Sequence, residues 1–227
     1  YLADTNSTLL TIRVESTTLF QLNGSYQATH PLVTQPENQL FVTSLNATDQ
    51  DGDQLSFSIG SVGDGNFFHV NATDGSLSFK SNPDFESNEA TGRNHYYEVV
   101  VQVSDGESNS SILIPVLLSN VNDTPVFTSS SSVSVPENQT FAIDVNASDE
   151  DGNETVSYSF IGGADQAMFD LNSTTGVLTF KNAPDYEANG SVANDNAYAV
   201  IVQASDGMSD VNQTVTINVT NVNETAT

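Results

Sequence analysis

GSLSFKSNPDFE, residues 75–86, returns as GVLTFKNAPDYE, residues 176–187. Working outward, VQVSDG (101–106) returns as VQASDG (202–207), and NVND (120–123) returns as NVNE (221–224), all 101 residues later. Upstream, PEN (36–38) returns at 136–138 and NATDQDG (46–52) as NASDEDG (146–152), both 100 residues later. One residue was gained between Gly152 and Gly176, a loop-sized change. The chain is therefore written twice, in modules of about 100 residues that meet at NVNDTP, residues 120–125.

Within each copy the apolar residues alternate. Val99, Val101 and Val103 share one face, as do Ile112, Ile114, Val116 and Leu118. Val200, Val202 and Ala204, then Val215, Ile217 and Val219, repeat the arrangement. Period two, β-branched enrichment and Gly/Asn/Asp/Ser punctuation predict strands and turns, and no stretch sustains a helical period. About seven short strands per module point to an all-β chain of two antiparallel sandwiches. Pro115 interrupts one alternating run, so that strand is expected at an edge or bulged. The expected boundaries are 31–124 for the first module and 125–227 for the second. Residues 1–30 fall outside the repeat. Leu10, Ile12 and Val14 alternate there and Asn23-Gly24 offers a tight turn, which suits either the tail of a preceding module or an extra β hairpin.

The composition excludes several functions. Four bases (Arg13, Lys80, Arg93 and Lys181) face 29 acids, a formal charge of −25. That field repels nucleic acid, whose binding needs Lys and Arg against phosphate. Much of the charge serves solubility. With no cysteine there are no disulfides or thiolate metal sites. No apolar run approaches the ~20 residues of a membrane span. A chain starting at Tyr1 is expected to be a piece of something longer.

The positions of particular acids carry more information than their number. Repeated between the copies are Glu37/Glu137, Asp49/Asp149, Asp51/Asp151, Asp84/Asp185, Glu86/Glu187, Asp105/Asp206 and Asn122/Asn223, with Asp123/Glu224. A sandwich needs its Val and Ile faces, not a set of acids held in turns. Two carboxylates ~4 Å apart repel by ~4 kcal/mol at an effective dielectric of about 20. Recurrent clusters in loops therefore point to a hard cation with oxygen ligands, calcium above all. Any single Asp-Gly pair reads as an ordinary turn; the combined set does not. The EF-hand pattern fails, since counting from Asp49 or Asp149 finds no Gly at the sixth position and no Glu at the twelfth. His30, His69 and His95 have no metal-ligand spacing and read as surface or turn residues. No nucleophile motif appears, so the chain is not expected to be an enzyme. The N-x-S/T sequons, such as Asn46 and Asn109, are read as a product of Asn/Ser/Thr-rich composition.

PEN, D-x-D-G, PD[FY]E, SDG and N-V-N-D-x-P, in that order and twice over, resemble cadherin repeats, in the version found in large bacterial surface and secreted adhesins. The resemblance covers about residues 31–227 and implies two tandem Greek-key β-sandwiches of seven strands, with calcium bound between consecutive modules. It implies ligands Glu37, Asp84 and Glu86 from the first module. The linker would supply Asn122 and Asp123 with carbonyls near Val121 and Thr124, and the second module Asp149, Asp151 and Asp206. Their seven carboxylates approach the charge of about three calcium ions. The linker departs from the family's D-x-N-D-N-x-P by Asn120, by Thr124 and by one residue fewer, so the two ions nearer the first module are the ones expected to survive. Asp49, Asp51 and Asp105, and at the other end Glu137, Asp185, Glu187 and Glu224, are half-sites for further modules.

The resemblance implies a calcium-stiffened stalk or cell-adhesion segment, extracellular or at the cell surface, partnered by calcium ions and neighbouring modules. The alternative is a module binding polysaccharide or a like protein. Without tryptophan, exchange of a tryptophan-anchored strand is not expected.

Overall fold

The computed structural model describes residues 11–14, 32–49, 52–87, 95–152 and 155–224. Asp51, the Asn23-Gly24 turn and the rest of residues 1–30 apart from 11–14 lie outside them. Contacts divide the chain into two compact units between Val121 and Asn122.

The first unit contains β1 (Thr11–Val14), β2 (Val33–Pro36), β3 (Phe41–Thr48), β4 (Ser56–Gly63), β5 (Phe68–Val70), β6 (Ser76–Phe79), β7 (Tyr96–Ser104) and β8 (Asn109–Ser119). They form two sheets, ordered β1-β3-β6-β5 and β2-β8-β7-β4. β1 and β2 belong to different sheets and together fill the place of one first strand. β1 runs antiparallel to β3, and β2 runs parallel to β8. Counted that way, the unit has seven strands, as expected.

The second unit repeats this with β9 (Val126–Phe127), β10 (Ser132–Pro136), β11 (Phe141–Asp144), β12 (Ala147–Ser148), β13 (Ser157–Gly162), β14 (Phe169–Leu171), β15 (Val177–Phe180), β16 (Ala197–Ser205) and β17 (Asp210–Thr220). β10-β17-β16-β13 face β11-β15-β14, and β12 pairs with β9. Ala147 opposite Phe127 matches Ala47 opposite Ile12, so β1 takes in the first unit the place that β9 takes in the second. Four residues, 128–131, separate β9 from β10, against the eighteen, 15–32, between β1 and β2.

The predicted alternating faces are the cores. Tyr97, Val99, Val101 and Val103 of β7 are buried against Ile114, Val116 and Leu118 of β8. Tyr198, Val200, Val202 and Ala204 do the same against Val215, Ile217 and Val219. Each core holds three mutually touching aromatic rings. In the first, Phe68 lies 4.4 Å from Phe79, and Tyr97 meets both edge-on at 5.8 and 5.3 Å. Phe169, Phe180 and Tyr198 repeat the arrangement. Such pairs add about 0.5–1.5 kcal/mol each beyond the area they bury.

The expectation for Pro115 needs correcting. β8 is an interior strand, and its register against β7 runs unbroken through the Pro115–Glu98 pair. Proline is accommodated because the pairing with β2 begins only at Val116, so no ladder donor is required of residue 115 on that side. At the equivalent place in the second unit, Thr216 donates its N–H to the Ser131 carbonyl at 2.9 Å.

Gly75 and Gly176 explain why the stretch that opens the repeat is so constant. Both sit at positive φ, +71° and +72°, where a side chain would meet the carbonyl of Leu45 or Val145. Those residues in turn donate their N–H groups to the glycine carbonyls, tying the turn to the neighbouring strand.

Candidate metal centres

In the first unit, PEN ends β2 and turns the chain inward. Asn38 adopts a φ of 61° and donates its N–H to the Pro83 carbonyl, which leaves Glu37 directed into the unit. Its side chain is only 1% exposed. Oε2 accepts the Phe85 N–H and Oε1 the Val121 N–H, both at 2.7 Å, so one carboxylate joins the PDFE loop to the end of the module. Ligand oxygens of Glu37, Asp84 and Glu86 lie within 4.8 Å of one another. That span matches oxygens placed across a calcium ion at about 2.4 Å from it. Asn120 Nδ2 donates to Glu86 Oε1 at 3.3 Å. Val121 is 43% exposed.

The second unit opens with the other half of the linker. Asn122 Nδ2 donates to the Asp123 carbonyl, Asp206 Oδ2 and Ser209 Oγ. The Asp123 N–H donates to Asp151 Oδ2 at 2.7 Å, and the Asp151 N–H to Asp149 Oδ1 at 2.9 Å. Asp206 Oδ1 accepts the N–H groups of Met208 and Ser209, both at 2.6 Å. Those bonds, the Ser209 N–H foremost, with help from Asn122, hold its carboxyl below the usual aspartate value against the opposing effect of desolvation. Thr124 is exposed and Pro125 buried.

Two oxygens here test whether calcium fits. Asn122 Oδ1 and Asp149 Oδ2 are buried without a hydrogen-bond partner. A buried oxygen left so loses solvation worth about 1–3 kcal/mol, more when charged. Both belong to the expected ligand set, the donors are all oxygen, and a hard divalent cation would satisfy them. The residues fit the ion.

The outer ends repeat each half. Glu137, 3% exposed, accepts N–H groups from Tyr186 and Val222, and its oxygens gather with those of Asp185 and Glu187 within 4.8 Å. Asn221 bonds Glu187, and Asn138 bonds Glu224. At the opposite end of the first unit, Asp49 Oδ1 accepts the N–H groups of Gly52 and Asp53, and Asp105 Oδ1 those of Glu107 and Ser108. The Ser108 bond, then that of Glu107, keeps the Asp105 carboxyl low. Asp51 lies outside the described residues.

Sequence reasoning missed three contributors. Asn120/Asn221 steer Glu86/Glu187, and Ser209 holds Asn122; both recur at the 101-residue spacing and were legible there. Asp64 and Asp165, each 3% exposed, recur likewise but do structural work. Asp64 accepts the Glu98 N–H, and Asp165 accepts those of Val192 and Ala199.

Comparison with known proteins bears on the fold that carries these residues. Residues 131–220 match the cadherin domain family. Human protocadherin Fat 4 is 30% identical over 195 residues, covering 81% of this chain and 4% of that protein. Human protocadherin-23 is 29% identical over 237 residues, 99% of this chain and 7% of its own length. The chain thus spans a small fraction of these relatives. Among solved structures, human protocadherin-24 EC1-2 superposes with a TM-score of 0.53 at 21% identity, covering 84% of this chain and 95% of that one. The human desmocollin-1 ectodomain gives 0.53 at 17% identity, over 89% of this chain and 41% of its own. The superposed structures share the all-β sandwich fold described above, and the chain is a pair of tandem cadherin-like β-sandwich modules.

Proposed function

We propose that this chain is a calcium-binding segment of a larger extracellular, cell-surface protein, in which calcium stiffens consecutive modules of an adhesive stalk. The ligands would be Glu37, Asp84 and Glu86 of the first module, Asn122 and Asp123 with carbonyls near Val121 and Thr124, and Asp149, Asp151 and Asp206 of the second. The ion would supply positive charge that offsets repulsion among these carboxylates. Glu37 holds the Val121 N–H, Glu86 holds the Asn120 amide, and the Asp206 and Asp151 carboxylates hold Asn122 and Asp123 in turn.

The observation that carries the reading is the pair of buried, partnerless oxygens on Asn122 and Asp149. Four consecutive linker residues each bond an acid of the expected ligand set, Asn120 and Val121 within the first unit and Asn122 and Asp123 within the second. Bound metal favours the arrangement that supplies its ligands, so occupancy selects a narrower range of inter-module angles. The outer cluster at Glu137, Asp185 and Glu187, and the half-site expected from the sequence at Asp49, Asp51 and Asp105, would serve neighbouring modules in the same way. The relatives named above are animal proteins, so the bacterial-adhesin version of the resemblance gains no support from them.

Small-angle scattering with calcium titration tests this. The maximum dimension should sharpen on adding calcium, and Asp123→Ala should abolish the sharpening while far-ultraviolet circular dichroism stays that of intact β structure. Identical scattering in chelator and in millimolar calcium would sink the stiffening role.

A further inference from the structure

Fourteen of the 24 asparagines begin an N-x-S/T triplet without proline in the middle. Ser and Thr fill 51 of the 227 positions. Composition alone would therefore put one of them two residues after only about five asparagines, which leaves most triplets unexplained by richness in Asn, Ser and Thr. The triplet is the acceptor signal for N-linked glycan, and it functions on surfaces of proteins that pass through a secretory pathway.

Eleven of these asparagines fall among the described residues, and nine of the eleven are exposed. Three pairs recur at equivalent places in both modules, Asn46/Asn146, Asn71/Asn172 and Asn122/Asn223, and the first two pairs are exposed in both copies. Asn46 lies on β3, and Asn146 lies between β11 and β12. Asn71 and Asn172 open the turns that follow β5 and β14. In those turns Asn71 Oδ1 accepts the Thr73 N–H at 2.9 Å, and Asn172 Oδ1 accepts those of Thr174 and Thr175 at 3.0 Å. The amide oxygen is thereby turned onto the backbone of the triplet's third residue. Asn71 Nδ2 also donates to Asp74 Oδ2 at 3.0 Å, a surface bond that survives glycosylation because a substituted amide keeps one N–H.

Asn122 is a built-in contrast. Its triplet, Asn-Asp-Thr, satisfies the same rule, yet its side chain is half-buried and Nδ2 makes three hydrogen bonds. A sugar on that nitrogen would remove one N–H and force the carboxylate of Asp206 or the hydroxyl of Ser209 away.

We propose that Asn46, Asn71, Asn146 and Asn172 carry N-linked oligosaccharide and that Asn122 does not. In the transfer, Nδ2 bonds to the anomeric carbon of a lipid-pyrophosphate-linked oligosaccharide. The bond from that carbon to the phosphate oxygen breaks, the lipid pyrophosphate leaves with the electron pair, and the amide gives up one proton. The folded surface tolerates the product at the four exposed positions and rejects it at the fifth.

The test is to express the 227-residue chain through a eukaryotic secretory pathway and digest it with peptide N-glycosidase in ¹⁸O-water. The intact mass should fall on digestion, and peptide mass spectrometry should find labelled aspartate at Asn46, Asn71, Asn146 and Asn172 but none at Asn122. No mass change on digestion, or labelling of Asn122 as complete as that of Asn71 and Asn172, would overturn the proposal. The enzymatic readout needs no variant to fold. Asn71→Gln with Asn172→Gln should then remove two glycan steps from the mass ladder and leave the rest.

Discussion

Replacing Glu37 by alanine should destabilise the first module even with every metal ion removed. The carboxylate is 1% exposed and takes one N–H on each oxygen, from Phe85 and from Val121, both at 2.7 Å. Hydrogen bonds to an ionised group contribute about 1.5–3 kcal/mol each, so two are worth about 3–6 kcal/mol. The desolvation that the buried carboxylate no longer suffers offsets part of this, leaving about 3 kcal/mol. For a module of this size that corresponds to a fall in Tm of roughly 12 °C or more. Glu37→Gln should recover little, because its amide keeps one acceptor and turns an NH₂ towards the other backbone N–H. Glu86→Ala should behave differently, losing most of the calcium response while each sandwich stays folded in chelator. Thermal melts in chelator and in calcium, followed by circular dichroism, separate the two roles. If Glu37→Ala in chelator melts within a few degrees of the parent, the carboxylate is a ligand only and the argument from backbone hydrogen bonds is wrong.

Calcium should raise the melting temperature far more than magnesium, since magnesium demands a tight octahedron and parts with water reluctantly. At a concentration 100 times Kd, one calcium site stabilises by about 2.7 kcal/mol; equal shifts with both ions at millimolar level would count against the site. Gly176→Ala should cost about 3 kcal/mol in a urea melt, because φ of +72° is strained for any side chain and the new Cβ meets the Val145 carbonyl; a neutral result would contradict the turn geometry. Asp74, Asp105 and Asp206 have folded pKa values held low, by hydrogen bonds from Ser76, Ser108 and Ser209 respectively before all else. Their contribution is complete above about pH 4 and drains away as pH falls through the folded values, which acid titration of stability in chelator would show. Tyr198, pushed up by burial and then by Asp165 and Asp185, works in the opposite direction: its contribution is complete below about pH 10 and is lost as pH rises through the folded value.

How much was legible depended on the range of the interaction. Period-two alternation in Val99–Val103 and Val200–Ala204 is a local signal, and burial on one face of a sheet forces it, so the strands and the two-module organisation could be read directly. The repeated acids were legible for a similar reason: two copies sampled the same turns, and what both kept in PEN, PD[FY]E and SDG exceeds what a turn requires. The amide partners Asn120 and Asn221 carried the same signal at the same spacing.

What the sequence by itself determined, then, is the β architecture, its duplication and the identity of the acids. Tertiary structure decided what those acids do. Glu37 and Asp84 look alike in sequence, but only the fold brings the N–H groups of Phe85 and Val121, 48 and 84 residues distant, onto Glu37 and makes it a structural acid as well as a candidate ligand. Strand neighbours were settled in the same way: β1 pairs with β3 although its own residues, TIRV, resemble nothing in the other copy, and Pro115 is tolerated in an interior strand because the pairing with β2 begins one residue later. Each outcome depends on which backbone groups meet across the sheets, and pairing over long separations in sequence leaves no periodic trace in the residues that make it.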